Sequence, residues 1–328
     1  MKDVALVLSS GGPRGFAYIG AIEELLSRGY NITSIAGCSI GSLIGGIYAA
    51  GKLEEVKEWL FSLDNWKVFK LMDLAISGSY LVKGEKVISA LKEIVPDINI
   101  EDLEIPFKAV ATDLYTGQEV VFEKGKLFEA VRASISIPSL FRPVKRGMQV
   151  LIDGGIANPI PLNRVQRNGH DILVAFNVND VDVEEIHQLV LEEANAEKEK
   201  QAAEEELKTE NKAFVDYILH NDSLSLVEKM KMAGKYSHKV LMKKLEKDPK
   251  TENDFDPDAN YYTILSRCFS LMNYSNTNLM LQLCPCDVLV NMPFDAFYEI
   301  QDYAKAEEIS EIGRNLMREA LDKYEGRQ

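Results

Sequence analysis

Apolar residues recur along the first half of the chain in short blocks that alternate with helical patterns. The blocks at Val4 to Ser9, Ser34 to Cys38 and Asp171 to Val178 are almost continuously apolar, which is typical of strands buried on both faces of a sheet. Between the first two blocks, apolar residues at helical spacing predict a helix from Gly15 to Arg28. This alternation favours an α/β fold of three layers, α/β/α, with a largely parallel central sheet.

The same alternation continues as far as residue 178. We expect strands at Phe107 to Thr112, Glu119 to Phe122 and Gln149 to Ile152, and helices at Ile40 to Ala50 and Lys126 to Ser134.

Residues 183–260 differ in composition from the segments around them. The stretch "EEANAEKEKQAAEEELKTENK" at 192–212 is rich in Ala, Glu and Lys, with opposite charges near four-residue spacing, which favours a solvated helix. A strand pattern returns at 286–292 and a helical pattern follows it, so we expect 286–325 to form a closing strand and helix. The prediction is a single domain over 1–328 that contains a helical insertion at 183–260.

The charge balance excludes one class of partner. The chain has 328 residues and a formal net charge of −14, whereas binding to nucleic acid needs clustered Lys and Arg. The first residues resemble a strand and not a signal peptide, and no apolar run is long enough to span a bilayer. We therefore expect a cytoplasmic protein.

The candidate metal ligands do not form a recognisable site. The four cysteines, Cys38, Cys268, Cys284 and Cys286, lack the spacing of a disulfide framework or a zinc site and are expected to be reduced. The aspartates of "DFDPDAN" alternate as at the start of a calcium loop, but Ala259 and Leu265 stand where that loop needs Gly and Glu. We expect neither a metal nor a cofactor.

Two glycine-rich segments lie where a strand meets a helix. "GCSIG" at 37–41 is a G-x-S-x-G motif, in which Gly37 and Gly41 leave room for a sharp turn that presents the hydroxyl of Ser39. "SSGGPRG" at 9–15 lacks the Lys-Ser/Thr ending of a P-loop and the full G-x-G-x-x-G of a dinucleotide site.

A serine nucleophile needs a base, and the histidines are poorly placed for that role. His170 precedes a strand, and the other three histidines lie in the predicted insertion, so a Ser-His-Asp triad is not supported. Asp153 in "VLIDGGIANPIP" is better placed, because it ends an apolar strand, where α/β sheets bind ligands. An Asp-Gly pair also forms ordinary turns, so both interpretations of Asp153 remain open at this point.

The chain resembles the patatin-like phospholipases, specifically their compact bacterial-type members. The matching stretches occur in the family's order and are "LSSGGPRGFAYIGAIEEL", "GCSIGSLIGGIYAAG", "ATDLYTGQEVVFEKGKLFEAVRASISIPSLFRPV" and "DGGIANPIPL". The resemblance implies hydrolysis of acyl esters of lipids, in the manner of a phospholipase A or lysophospholipase. It implies a Ser–Asp dyad of Ser39 and Asp153, without metal, and transient contact with a membrane surface.

The resemblance also implies a glycine-rich oxyanion hole at residues 11–15. Pro13 has no N–H, so the donors would be the amides of Gly11, Gly12, Arg14 and Gly15, with the Ile40 amide as a further donor.

Two residues depart from the family pattern. Ser10 stands where the family usually has a third glycine, and Cys38 stands where it often has Thr. We expect the Cys38 side chain to point away from the site.

Two alternatives to a lipid hydrolase remain open. One is a short-chain esterase or thioesterase with the same dyad, and the other is a non-catalytic lipid-binding or regulatory module. Residues 56–75, which contain Trp59 and Trp66, fit either a core-facing helical cap or a lipid-facing lid.

Overall fold

The computed structural model describes most of the chain outside the predicted insertion. The described residues are 2–73, 82–181, 191, 195, 198, 261–293 and 300–326. Apart from three positions, the insertion at 183–260 lies outside the described residues, as do the aspartates of 254–258 and residues 74–75. The organisation as one domain with a helical insertion therefore stays a prediction.

The strands of the described chain form one mixed sheet. They are β1 (Lys2–Leu8), β2 (Tyr30–Cys38), β3 (Phe107–Asp113), β4 (Glu119–Phe122), β5 (Val144–Arg146), β6 (Gln149–Asp153), β7 (Ile172–Asp180) and β8 (Val288–Pro293). Their order is β5-β6-β3-β2-β1-β7-β8, and β4 also pairs with β3. The pairs β1–β2, β2–β3, β1–β7 and β7–β8 are parallel, whereas β4 and β6 run antiparallel to β3, and β5 antiparallel to β6. The predicted, largely parallel α/β sheet is confirmed.

Helices cover both faces of this sheet. Those described are α1 (Ala17–Ser27), α2 (Ile40–Ala49), α3 (Leu53–Phe61), α4 (Asn65–Leu71), α5 (Glu85–Ile94), α6 (Leu127–Ser134), α7 (Tyr261–Leu283) and α8 (Ala306–Glu325). Within the described part of the chain, no helix combines the length and the apolar character needed to cross a bilayer.

The alternation along β1 explains the layers. Val4, Leu6 and Leu8 join the larger core cluster, which also contains the buried side chains of α1, α2 and α8. Ala5 and Val7 point the other way, into a smaller cluster against which Met280 and Leu281 of α7 pack. Because successive residues of a strand face opposite sides, one continuously apolar strand serves both layers.

Candidate active site

Ser39 occupies a sharp turn between β2 and α2. Its backbone angles are φ 53° and ψ −123°, a left-handed conformation that costs a non-glycine residue about 1–3 kcal/mol. The Ser39 amide donates to Ser134 Oγ at 2.8 Å, and its carbonyl accepts from the amides of Ser42 and Leu43. These bonds hold the strained turn in place.

Close packing of backbone on both sides of Ser39 accounts for Gly37 and Gly41. A Cβ atom at position 37 would lie 2.4 Å from the carbonyl oxygen of Gly41. A Cβ atom at position 41 would lie 2.3 Å from the carbonyl oxygen of Leu8. Both distances are far below van der Waals contact, so a side chain at either position would displace the turn.

Strand β3 brings Asp153 to Ser39. Val110 of β3 pairs with Cys38 at the end of β2, and the next residue, Ala111, pairs with Asp153 at the end of β6. The other edge of β3 is taken by β4 at these same positions, so β2 and β6 share one edge and end next to each other. We expected Asp153 at the ligand-binding edge of the sheet because it ends an apolar strand. It does lie beside Ser39, at the C-terminal end of β2, but the strand that it ends runs in the opposite direction to β2. Because β6 is antiparallel to β3, it runs toward β2 and stops at the elbow.

The two side chains meet in a buried hydrogen bond. Ser39 Oγ donates to Asp153 Oδ2 at 2.5 Å, and the second carboxyl oxygen, Oδ1, accepts from the amide of Gly155 at 2.8 Å. Ser39 is 3% exposed and Asp153 is fully buried. The backbone of Asp153 is fixed by its amide bond to Ser136 O and by the hydroxyl of Thr112, which donates to its carbonyl. The arrangement allows direct proton transfer from hydroxyl to carboxylate.

Burial changes the basicity of this carboxyl. It raises the pKa of Asp153 from 3.8 to about 7, against the smaller lowering effect of the hydrogen bonds from Ser39 and Gly155. No Lys, Arg or His of the described residues makes an ion pair with it. Asp153 is therefore a stronger base than an ordinary aspartate, and it ionises near neutral pH.

The glycine-rich loop lies beside the elbow. Gly12 has φ +58°, which favours glycine, and it begins a short 3₁₀ helix, Gly12–Phe16, with Pro13 as the second residue. A Cβ atom at Gly15 would lie 2.2 Å from the side chain of Ile40, the residue after Ser39. The loop residues predicted to donate to an oxyanion thus include one in close contact with the elbow.

A polar network fixes the start of this loop. The Tyr18 hydroxyl donates to Ser9 O at 2.7 Å, and Asn179 Nδ2 donates to Ser10 O at 2.6 Å. The Ser10 amide donates to Pro159 O, and the Val178 amide donates to Ser9 Oγ. The loop is therefore held in a defined conformation by contacts on several sides.

Helix α7 contributes a residue that the sequence did not predict. Asn273 is buried, and its Nδ2 donates to Ser10 Oγ at 3.2 Å, so Ser10 has a partner that a glycine would lack. A Cβ atom at Gly155 would lie 3.0 Å from Asp153 Oδ1 and 3.1 Å from Asn273 Oδ1. Asn273 Oδ1 accepts no hydrogen bond from the described chain. The one sequence feature that points to this contact is Ser10, which stands where the family usually has a glycine.

The other candidate base, His170, is distant from Ser39, and the other candidate nucleophile, Cys38, is a protonated thiol. His170, the one histidine among the described residues, is exposed and precedes β7. His170 lies at the N-terminal ends of the parallel strands, because it precedes β7, whereas Ser39 lies at their C-terminal ends, because it follows β2. Burial raises the pKa of the Cys38 thiol well above its usual range, so it stays protonated and packs beside Gly154. No cluster of metal-ligating side chains occurs in the described ranges.

The two tryptophans have different environments. Trp59 is half-buried and packs against the main core, whereas Trp66 on α4 is 63% exposed. Trp66 stacks on Phe69, with ring centroids 5.9 Å apart. Helix α4 contacts the short helix Ile300–Ala304, whose Tyr303 packs edge-on against Phe16 beside the glycine-rich loop. A core-facing cap thus describes Trp59 but not Trp66.

The chain is similar to proteins of one family over its first half. Residues 6–165 match the model of the patatin-like phospholipase family. An uncharacterized NTE family protein of Mycobacterium tuberculosis is 43% identical over 176 residues, which cover 54% of this chain and 49% of that protein. A lysophospholipase of Cryptococcus neoformans is 30% identical over 189 residues, 55% of this chain and 11% of its own length. The chain thus spans at most about half of these relatives.

A patatin-like phospholipase domain-containing protein of Caenorhabditis elegans is 31% identical over 187 residues, which cover 55% of this chain and 14% of that protein. Among solved structures, VipD from Legionella pneumophila is 17% identical, covers 58% of this chain and 53% of its own, and has a TM-score of 0.37. The family match, together with the mixed sheet and the G-x-S-x-G elbow, confirms the family that the motifs predicted: the chain carries a patatin-like phospholipase domain over residues 6–165.

Proposed function

We propose that the protein hydrolyses acyl esters of lipids, as a phospholipase A or lysophospholipase, with Ser39 as nucleophile and Asp153 as general base. The observation that carries the proposal is the buried hydrogen bond of 2.5 Å between Ser39 Oγ and Asp153 Oδ2. The patatin-like family of residues 6–165 and the similarity to a fungal lysophospholipase support the same substrate class.

In the acylation step, Asp153 takes the hydroxyl proton while Ser39 Oγ attacks the carbonyl carbon of the ester. The resulting oxyanion would be bound by the amides of Gly11, Gly12, Arg14 and Gly15, together with that of Ile40. One such donor typically stabilises the transition state by about 3–4 kcal/mol. The C–O bond to the alcohol then breaks, and the proton held by Asp153 passes to the leaving alkoxide.

Deacylation follows the same sequence with water as the nucleophile. Asp153, again ionised, takes a proton from a water molecule as the water oxygen attacks the acyl-serine carbonyl. The bond to Ser39 Oγ breaks, the proton returns to that oxygen, and the fatty acid leaves. A base whose pKa is near 7 suits both steps, because it is largely ionised just above neutral pH and still binds a proton well.

The exposed aromatic pair on α4 supports contact with a lipid surface. Trp66 and Phe69 are 63% and 50% exposed, and aromatic side chains favour the interface between water and lipid. If this surface meets lipid, Trp fluorescence of the Trp59→Phe variant, which retains Trp66, should shift to shorter wavelength on addition of phospholipid vesicles. The Trp66→Phe variant should show no such shift. An unchanged spectrum in both variants would contradict this contact.

A fluorophosphonate probe tests the nucleophile directly. We expect labelling of the native protein and of Ser62→Ala, a surface control, and no labelling of a folded Ser39→Ala variant. Absence of labelling in the native protein would favour the alternative of a non-catalytic lipid-binding module.

A substrate panel then tests the substrate class. Phospholipid and lysophospholipid should be hydrolysed faster than triglyceride and faster than short-chain esters or thioesters. Turnover of the short-chain substrates alone would favour the esterase or thioesterase alternative.

A further inference from the structure

A second concave site lies on the outer side of helix α6. It is a cavity of about 420 Å³, lined by residues of α5, α6, β4, β5 and β6 and of the connection between β4 and α6. This volume lies within the range of small-ligand sites. The elements that form it are distinct from the glycine-rich loop and from the elbow at Ser39.

The lining is strongly basic in an acidic protein. Six of the lining side chains are cationic and one, Glu129, is acidic, although the chain as a whole has a net charge of −14. The six cations are Lys92, Lys124, Lys126, Arg132, Lys145 and Arg146. Such local excess of one charge in a cleft raises the local concentration of ions of the opposite sign.

Most of these cations have no carboxylate partner within the described chain. Lys92 pairs with Asp97 at 2.8 Å, but Lys124, Lys145 and Arg146 form no ion pair there. Arg132 is also without one, since its guanidinium donates only to neutral acceptors: Ser136 Oγ, Lys83 O and Arg142 O. The cavity therefore holds positive charge that the described protein does not compensate.

The floor of the cavity is apolar. Ile88, Phe122, Phe128 and Leu151 line it and are buried. The guanidinium of Arg146 lies over the Phe122 ring at 4.8 Å, and the ammonium of Lys92 lies over the Phe128 ring at 5.9 Å. Two of the cations are thus positioned over aromatic rings of the floor.

We infer that this cavity binds a phosphate group, either free or as the headgroup of a lipid. A phosphate offers several charged oxygens, which can accept from several separate cations at once. The inference does not depend on the proposed hydrolysis. Lipid headgroups and free phosphate share this chemistry, and the experiment distinguishes them.

The test measures binding to the full chain by calorimetry, with three probes below their aggregation concentrations. They are decyl phosphate, which has no acyl ester to hydrolyse, inorganic phosphate, and decyl maltoside, which has the same chain and an uncharged head. We expect decyl phosphate to bind more tightly than decyl maltoside, with an affinity that falls as salt is added. The variant Lys145→Glu/Arg146→Glu should weaken this binding about tenfold or more.

A matched control reverses two exposed cations elsewhere, in Lys86→Glu/Lys323→Glu, and should bind decyl phosphate as the native chain does. Equal binding of inorganic phosphate and decyl phosphate would identify free phosphate as the ligand. Preference for decyl phosphate would identify a lipid headgroup. The inference is overturned if neither phosphate binds, if decyl maltoside binds equally well, or if the Lys145→Glu/Arg146→Glu variant binds unchanged while its melting temperature is native.

Discussion

Helix α6 separates two regions with opposite electrostatic character. At its C-terminal end, Ser134 Oγ accepts from the Ser39 amide, and Ser136 O in the following turn accepts from the Asp153 amide. The carboxyl of Asp153 has no ion-pair partner within the described chain. On the outer side, α6 faces the cavity, where most of the cations lack a carboxylate partner within the described chain. One side holds a carboxyl without an ion-pair partner, and the other holds an excess of cations.

This difference shows how the protein keeps its carboxyl basic. A cation in contact with Asp153 would stabilise the ionised form and lower its pKa, which would weaken it as a base. Arg132 is part of the same helix as Ser134, yet its guanidinium donates to Lys83 O, Arg142 O and Ser136 Oγ and not to the Asp153 carboxyl. Separation of the charges thus preserves the pKa near 7 that burial produces.

The largest expected effect comes from removal of the dyad itself. Ser39→Ala should abolish turnover, and Asp153→Asn should lower kcat by about 10²–10⁴-fold, the usual contribution of a general base. Steady-state kinetics on a lysophospholipid checks both, with circular dichroism to confirm folding. Full activity of folded Asp153→Asn would contradict the role of this carboxyl.

The second effect concerns stability. In the folded chain Asp153 stays protonated up to about pH 7, whereas in the unfolded chain it ionises above its ordinary pKa of 3.8. The native protein therefore loses stability as pH rises from about 4 to 7, by up to about 4 kcal/mol, and regains it as pH falls. Asp153→Asn removes this loss, so it should be more stable than the native protein at pH 8 and similar at pH 4 in urea unfolding.

Asp171→Asn provides the opposite case. Although burial acts to raise its pKa, hydrogen bonds from Arg167 and Asn168 leave the pKa of Asp171 below its ordinary value. Its ionised form stabilises the fold above the unfolded pKa, so its replacement should destabilise the protein at pH 8. If Asp153→Asn and Asp171→Asn changed the stability at pH 8 in the same direction, the two carboxyls would not have pKa values shifted in opposite directions.

The third effect is the pH dependence of turnover. Because only ionised Asp153 accepts a proton, kcat/KM should fall about tenfold per pH unit below pH 7 and level off above it. Between pH 5 and the plateau above pH 7 the change is about a hundredfold. A profile whose midpoint is near pH 4 would show that the carboxyl is not raised by burial in the working enzyme.

A smaller effect is expected from the contact between α7 and the glycine-rich loop. Asn273→Leu and Ser10→Gly each remove the hydrogen bond between these residues and should lower kcat about two- to tenfold, with little change in KM. Since they remove the same bond, the double variant should be no worse than the poorer single one. Ser275→Ala, exposed on the same helix, is the control. Additive losses would show that the two residues act separately.

The smallest effect concerns electrostatic coupling between the two sides of α6. Lys145→Glu/Arg146→Glu should move the midpoint of the pH profile by less than about 0.3 units, because these exposed charges are screened by solvent and salt. A shift of a full unit would show that the two sides are electrostatically coupled.

Much of the fold follows from local patterns, and the dyad could be proposed from two motifs. The apolar runs of β1, β2 and β7 and the glycines around Ser39 each carry their own signal. No sequence signal reveals that Cys38 and Asp153 pair with adjacent residues of β3, because this pairing depends on the register between distant segments. The antiparallel direction of β6 was missed for the same reason.

Helix α7 was not predicted because the sequence of its second half does not favour a helix. Its second half contains Asn273, Ser275, Asn276, Thr277 and Asn278, residue types with low helix propensity, and tertiary packing overrides that preference. The basic cavity was not predicted because its lysines and arginines come from four separate segments: α5, the β4–α6 connection, α6 and β5. In the sequence each looks like an ordinary surface cation, and only the fold gathers them.

The shared edge of β3 has a consequence for how the protein is made. Ser39 and Asp153 are 114 positions apart, and nothing but the completed pairing of β2, β3 and β6 brings them together. A chain still emerging from the ribosome already carries Ser39 but not Asp153. On the proposed mechanism, the serine therefore becomes reactive only after this part of the sheet has formed, and labelling by a fluorophosphonate would date that event during synthesis.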